Sequence, residues 1–281
     1  MTAILASNQI RATLCGGEKV DIEGLRASPM PEATKTFHPV NYADIALNVA
    51  KITHDLIPDY ELKVEDYVLA RKGNQFFGVQ VYVAKDNSST DVGMALGLRG
   101  SYDHSLSLGI CGGMRVFVCD NMAFTGEISA FHKQTKNIME TLQTSLVTNI
   151  YKYKNGFIKL KEDAEVMKSI PLKDDPAFQF LGVLFGRGVL TTTQLKKARA
   201  YWKSPPNPEF EPRTAWSAYN AVNESLKTSK PNLIMKNHID LHSIAQHHTK
   251  RNLWGVTDAE YTMTEENTVF HSEDDVTYTV E

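Results

Sequence analysis

Basic residues interleaved with aromatic ones are the feature of this chain most directly tied to chemistry, because lysine and arginine neutralise phosphates while aromatic faces stack on unpaired bases. Tyr151, Lys152, Tyr153 and Lys154 open a run that continues to Lys161, and Lys133 and Lys136 lie upstream on what reads as the same helix. Lys196, Lys197, Arg199 and Lys203 form a second cluster with Tyr201 and Trp202. Arg115 and Phe117 share one face of a strand-like run, and Arg71 with Lys72 sits at a hairpin tip. For each cluster the structural alternative is a solvated helix or strand face whose aromatics belong to the core. Arg99, between Gly97 and Gly100, can present its guanidinium to a phosphate or carboxylate, or it can pair with Asp103 and fix a turn.

Enzymatic chemistry has weaker support. Ser101, Asp103, His104, Ser105 and Cys119 supply nucleophile and base types, but neighbours in sequence rarely converge as a triad, and no GxSxG elbow or P-loop is present. Asp120 and Asn121 read as caps of the following segment rather than ligands. His238 and His242 are four apart, which places them on one helical face with Asp240 nearby and His247-His248 beyond, so a metal site is an alternative. The HExxH pattern is absent, and surface histidines on an amphipathic helix are the simpler expectation. No catalytic residue and no cofactor are expected.

The elements that would position these residues follow from periodicity. Residues 1–36 lack a period and contain Gly16-Gly17, Pro29 and Pro31, so they read as an irregular arm. From the potential cap Asn41, Ile45, Val49, Ile52 and Leu56 recur at helical spacing until Pro58. Glu61 to Arg71 and Gln75 to Ala84 form a hairpin around Lys72-Gly73-Asn74, with Phe77, Val79, Val81 and Val83 alternating on one face. A third strand is expected over Val92 to Leu98, and a fourth follows through Gly109, Gly112 and Gly113 into Met114 to Cys119. Ile138, Leu142, Leu146 and Ile150 then predict a long helix ended by Asn155-Gly156, with further helices over Phe157 to Met167, Pro176 to Phe185 and Thr193 to Trp202. The proline-rich segment Ser204 to Pro212 is the strongest linker signal.

The resulting fold class is α+β: an antiparallel sheet of about four strands with a long helix packed across it, plus a helical C-terminal region. The expected organisation is an N-terminal arm over 1–36, an α+β core over 37–203, a helical C-terminal region over 204–257 and an acidic tail over 258–281.

Composition is that of an ordinary globular protein, and the cysteines Cys15, Cys111 and Cys119 carry no CxxC spacing, which argues against a disulfide framework and a cysteine zinc site. No apolar window is long enough to span a membrane and no basic-then-apolar leader opens the chain, so a cytoplasmic protein without membrane contact is expected. The net charge of -3 conceals an asymmetry: residues 258–281 hold eight acids and no Lys or Arg, leaving 30 basic against 25 acidic residues in the rest. A basic body with an acidic end suits a polyanion binder whose tail competes for its own site or recruits a host protein, and a solvated terminus is the alternative.

Gly97-Leu-Arg-Gly-Ser-Tyr-Asp-His-Ser105 and Met114-Arg-Val-Phe-Val-Cys-Asp-Asn-Met-Ala-Phe-Thr-Gly-Glu127 also carry a family resemblance. With Phe37-His-Pro-Val-Asn-Tyr-Ala-Asp44, Asp66-Tyr-Val-Leu-Ala-Arg-Lys-Gly73 and Thr214-Ala-Trp-Ser-Ala-Tyr-Asn-Ala-Val-Asn-Glu224, they resemble in order the motifs of the phage/plasmid-like family known as domain of unknown function 932. That family brings no assigned activity or catalytic residues. The element order alone is similar to the core of single-strand annealing recombinases of the Redβ and Erf type, which assemble on single-stranded DNA. The joint expectation is an oligomeric phage- or plasmid-type DNA-metabolism protein that binds single-stranded DNA and promotes strand annealing. The competing expectations are a metal-dependent enzyme using His238 and His242, or an interaction protein that engages a host factor through its tail.

Overall fold

The computed structural model describes residues 17–86, 92–116, 121–230 and 233–255, apart from the side chains of 121, 122 and 125–131. The α+β expectation holds, with six strands where the periodicity suggested about four. The two additions flank the expected meander. β1 (Glu18–Val20) comes from the segment read as an irregular arm and pairs antiparallel with β2 (Tyr60–Ala70). The short helix α1 (Ile22–Arg26) follows it, capped by the Asp21 carboxylate, which accepts from the Gly24 N–H at 2.8 Å. Leu25 is buried in the main core, so this part of the arm is docked.

α2 (Tyr42–Leu56) starts at Asn41 as its spacing predicts, with the Asn41 side chain accepting from the Ala43 N–H at 2.9 Å. β2 and β3 (Gln75–Ala84) form the expected hairpin, and β4 (Val92–Ser101), β5 (Leu108–Val116) and β6 (Asn121–His132) extend the sheet in sequence order, every neighbour antiparallel. Asn121, expected to cap the following segment, is the first residue of β6.

The sheet is covered on both faces, which explains why β3 and β4 are apolar at nearly every position. Tyr67, Phe76, Tyr82, Leu96, Leu98 and Ile110 face the main core with α2 and the long helix, whereas Phe77, Val79, Val81, Ala95, Cys111 and Phe124 form a second cluster on the other side. That second face is concave. Arg115 on β5 bonds Asp66 on β2 at 3.0 Å, although Asp66 registers across the sheet with Cys111, and a flat sheet would hold the Arg115 and Asp66 Cα atoms about 19 Å apart, beyond the reach of the two side chains. Only a curled sheet closes that gap. Gly113 sits at the register shift between β5 and β6, where the backbones come close: a Cβ there would lie 2.1 Å from the Ala123 carbonyl oxygen.

α3 (Ile138–Ser169) runs unbroken for 32 residues, about 48 Å. The break expected at Asn155-Gly156 does not occur, because Tyr153, Phe157, Leu160, Ala164 and Met167 continue the buried stripe begun by Ile138 and Leu142. A helical glycine costs about 1 kcal/mol, while each large apolar side chain buried beyond it contributes about 1.5–3 kcal/mol, so burial wins.

α4 (Asp174–Gly186) and α5 (Thr192–Lys203) follow, the latter opened by a reciprocal Thr191–Gln194 capping box. The proline-rich segment contains a 3-10 turn whose Phe210 is buried, then α6 (Ala215–Leu226) and α7 (Ile234–Lys250) close the described chain. Trp202 before this segment and Trp216 after it share one core that also holds Leu25 and Trp254, so the segment connects parts of one packed body. α7 begins on the concave face, where Ile234 and Met235 pack with Phe124, and later reaches α3 through His242, which lies 3.2 Å from Asp163. It thus passes over β6 and shields that side of the sheet. Among the described residues no helix is long and apolar enough to cross a membrane.

Candidate nucleic-acid interface

One end of the sheet gathers Arg, Lys and His side chains from three connections. Arg71 and Lys72 at the β2–β3 tip are exposed and both adopt left-handed backbone, with φ of 51° and 56°. His104, exposed in the β4–β5 loop, is left-handed too, with φ of 60°. Such conformations cost non-glycine residues about 1–2 kcal/mol each and are held only by well-fixed surroundings.

Those surroundings are an aromatic column and a hydrogen-bond net. The Tyr42 ring stacks on Tyr102 at 4.0 Å and on Phe76 at 4.7 Å. The Tyr42 hydroxyl donates to the Asn74 carbonyl at 2.9 Å, the Tyr102 N–H donates to the same oxygen at 2.8 Å, and the Tyr102 hydroxyl donates to the Val40 carbonyl at 3.1 Å. Burial pushes the Tyr102 hydroxyl up to about 12, which keeps it a neutral donor. Gln75 Nε2 donates to Ser105 Oγ at 2.6 Å, and Phe37 lies against His104 at 4.2 Å. Arg71 pairs with Asp103 at 3.2 Å. Burial alone would raise the Asp103 carboxyl, but hydrogen bonds from Ser105, Ser101 and Arg71 outweigh it and hold its pKa below the ordinary carboxylate range.

The β6–α3 connection is fastened to the same end. The buried Gln134 donates from Nε2 to the Ser101 carbonyl at 2.8 Å, while its side-chain oxygen accepts from the Val40 N–H at 3.3 Å and its backbone carbonyl from the His38 N–H at 3.0 Å. Lys133 and Lys136 flank it, both exposed. They precede α3 instead of lying on it, contrary to the expectation from sequence. Arg71, Lys72, His104, Lys133 and Lys136 thus share a rim fixed from behind by Gln134, Tyr42 and Tyr102.

Farther along α3, Tyr151 is 55% exposed and its hydroxyl donates to the Leu56 carbonyl at 3.1 Å, which pins the ring against the end of α2. Lys152 is exposed. Tyr153 is fully buried and offers no face to a base. Lys154 pairs with Asp59 and covers the Tyr60 ring at 5.1 Å, and this lysine holds the Asp59 carboxyl below its ordinary pKa.

The α5 cluster is organised inwards. Lys197 covers Tyr201 at 5.4 Å, Arg199 and Lys203 cover Phe178 at 5.6 and 5.3 Å, and Arg213 covers Trp202 at 5.3 Å. Its aromatic faces are occupied by its own cations, leaving Lys196 as an exposed charge on an ordinary helix face.

Arg115 is 4% exposed and pairs with Asp66, which also binds Lys19 at 3.1 Å, so it is an internal ion-network residue and not a surface contact. Arg99 is half-buried on the concave face across from Phe77, and burial lowers its pKa. Asp103, one of the two partners open to Arg99 from sequence, pairs with Arg71. Phe117, Cys119, Asp120, Cys15 and the acidic tail lie outside the described residues.

His238 and His242 are not surface histidines. Both are buried: His238 meets Phe124 edge-on at 5.9 Å, and His242 lies edge-on to Tyr219 at 6.1 Å while contacting Asp163. Among the described residues no group of three or more His, Cys, Asp or Glu is placed to hold a metal. The Ser101–Ser105 segment is a locked turn, with Ser101 Oγ donating to the Leu106 carbonyl at 3.1 Å and accepting its N–H at 2.9 Å.

His104 is the rim residue that sequence reasoning did not place with the basic residues; its position opposite a hairpin tip rich in Arg and Lys was the available signal. Comparison with protein-family models, curated proteins and solved structures gave no match.

Proposed function

We propose that the protein binds single-stranded DNA and works as an oligomeric phage- or plasmid-type DNA-metabolism protein of the cytoplasm, promoting strand annealing. The observation that carries this reading is the rim of Arg71, Lys72, His104, Lys133 and Lys136, gathered from three connections and braced from behind. The exposed cations Arg71, Lys72, Lys133 and Lys136 at one end of the sheet suit a phosphate backbone, His104 adds an imidazole able to hydrogen-bond beside them, and left-handed Arg, Lys and His cost stability that an external ligand can offset. The ordered motifs similar to the phage/plasmid-like family bear on the phage- or plasmid-type setting alone, since that family has no assigned activity. The eight acids of 258–281 give the chain its own polyanion, which competes for the rim or engages a host protein.

Fluorescence anisotropy of a labelled oligonucleotide, with full-length protein and with protein lacking 258–281, tests this across a salt series. Binding that weakens steeply with salt and tightens on tail removal supports it. Affinity that stays flat between low and moderate salt, or no binding at low salt, overturns it.

A further inference from the structure

Between Glu140 and Glu162, α3 carries Lys152, Lys154, Lys159 and Lys161 and no acid over residues 141–161, a length of about 30 Å. An exposed apolar line runs along the same stretch, with Val147 46%, Tyr151 55% and Ile158 43% accessible. Lys152, Asn155 and Lys159 stand beside it, all exposed. The helix starts at the basic rim, where Lys136 lies two residues before Ile138.

We propose that a DNA single strand leaves the rim along this outer face of α3, with Tyr151 as the platform on which a base stacks and Lys152 and Lys159 meeting the flanking phosphates. The proposal rests on the nucleic-acid reading and gives it a path. The charge pattern selects the occupant. A second copy of the chain packed two-fold about the middle of the Lys152–Lys159 segment would set each of these lysines against the other, which is repulsive. A single strand matches both chemistries, since phosphates neutralise the lysines and bases cover the apolar line. Tyr151 is prepared for that role: its hydroxyl bond to Leu56 holds the ring in place, so little side-chain freedom is lost on stacking. α5 has as many cations, but their aromatic partners are already covered.

The test is anisotropy of labelled oligo-dT at moderate salt with the full chain and exposed-site variants. Tyr151→Ala should weaken binding about five- to 150-fold, the loss expected for one stacked base. Tyr151→Trp, which keeps an aromatic face, should restore most of it, an outcome a merely structural hydroxyl role would not give. Lys152→Ala with Lys159→Ala should lower the salt slope by about 1.4. Lys196→Glu with Arg199→Glu on α5 should bind like the wild type. If wild type binds while the Tyr151 and lysine variants match it, the path is wrong although binding stands; if wild type does not bind, the functional reading itself fails. Tighter Tyr151-dependent binding of oligo-U than of oligo-dT overturns the assignment to DNA.

Discussion

Replacing Arg115 separates internal architecture from surface recognition. Its side chain and that of Asp66 are each less than a tenth exposed and bond at 3.0 Å, with Lys19 as a second, more accessible partner of Asp66. Breaking a buried ion pair by removing one member costs about 3–5 kcal/mol, because a charge is left without its compensation in a low-dielectric interior. Asp66→Ala should fall in that range, since it takes the carboxylate from both Lys19 and the buried Arg115. Arg115→Met should cost less, towards 3 kcal/mol, because Lys19 still neutralises Asp66 and methionine fills part of the volume. The double variant should recover part of the loss, as removing both charges avoids burying either one alone. Urea unfolding followed by tryptophan fluorescence measures this, with the shift in midpoint at constant slope giving the free energy. Oligonucleotide affinity of folded Arg115→Met should equal that of wild type. Unchanged stability with a large loss of DNA binding would refute the curled sheet and return Arg115 to the surface.

Other substitutions probe individual elements. Gly113→Ala should destabilise by about 1–3 kcal/mol, because its Cβ would collide with the Ala123 carbonyl, and thermal unfolding will show it. Gly182→Ala should stabilise by about 0.5–1 kcal/mol, since it lies within α4 and an added Cβ meets nothing within 4 Å. Burial opposes ionisation of Asp163, yet hydrogen bonds from His242 and Gln246 depress its pKa; the stability this contributes is present above the unfolded carboxylate pKa and is lost as pH falls through the folded value. Asp163→Asn should therefore flatten the acid side of the stability profile measured by urea titration, and an unchanged profile would count against the α3–α7 contact.

Much of the fold was legible where period and punctuation agree. Asn41 followed by four apolar residues at helical spacing, and alternation on both sides of Lys72-Gly73-Asn74, specify α2 and the β2–β3 hairpin locally. β1 was not legible, because three residues make a strand only by pairing with Tyr67, Val68 and Leu69. Asn155-Gly156 was misleading for the opposite reason: its local preference to stop is outweighed by burial that only the packed helix reveals. The site was legible as composition and not as arrangement. Spacing correctly put His238 and His242 on one face, yet nothing local says that this face meets Phe124 and Tyr219. Arg115 read as a surface contact, but it is buried against a partner 49 residues away. Nor does a basic-aromatic run reveal whether its rings await a base or, as in α5, are covered by neighbouring cations.

The most direct test of the central claim is to crosslink a photoreactive DNA single strand to the full-length protein and map the attached peptides by mass spectrometry. Adducts concentrated at the Arg71–Asn74 tip, the Lys133–Lys136 connection and the Tyr151 segment of α3 are the predicted result. Adducts confined to α5 or to the segment around Arg115, with those surfaces unmarked, would contradict it.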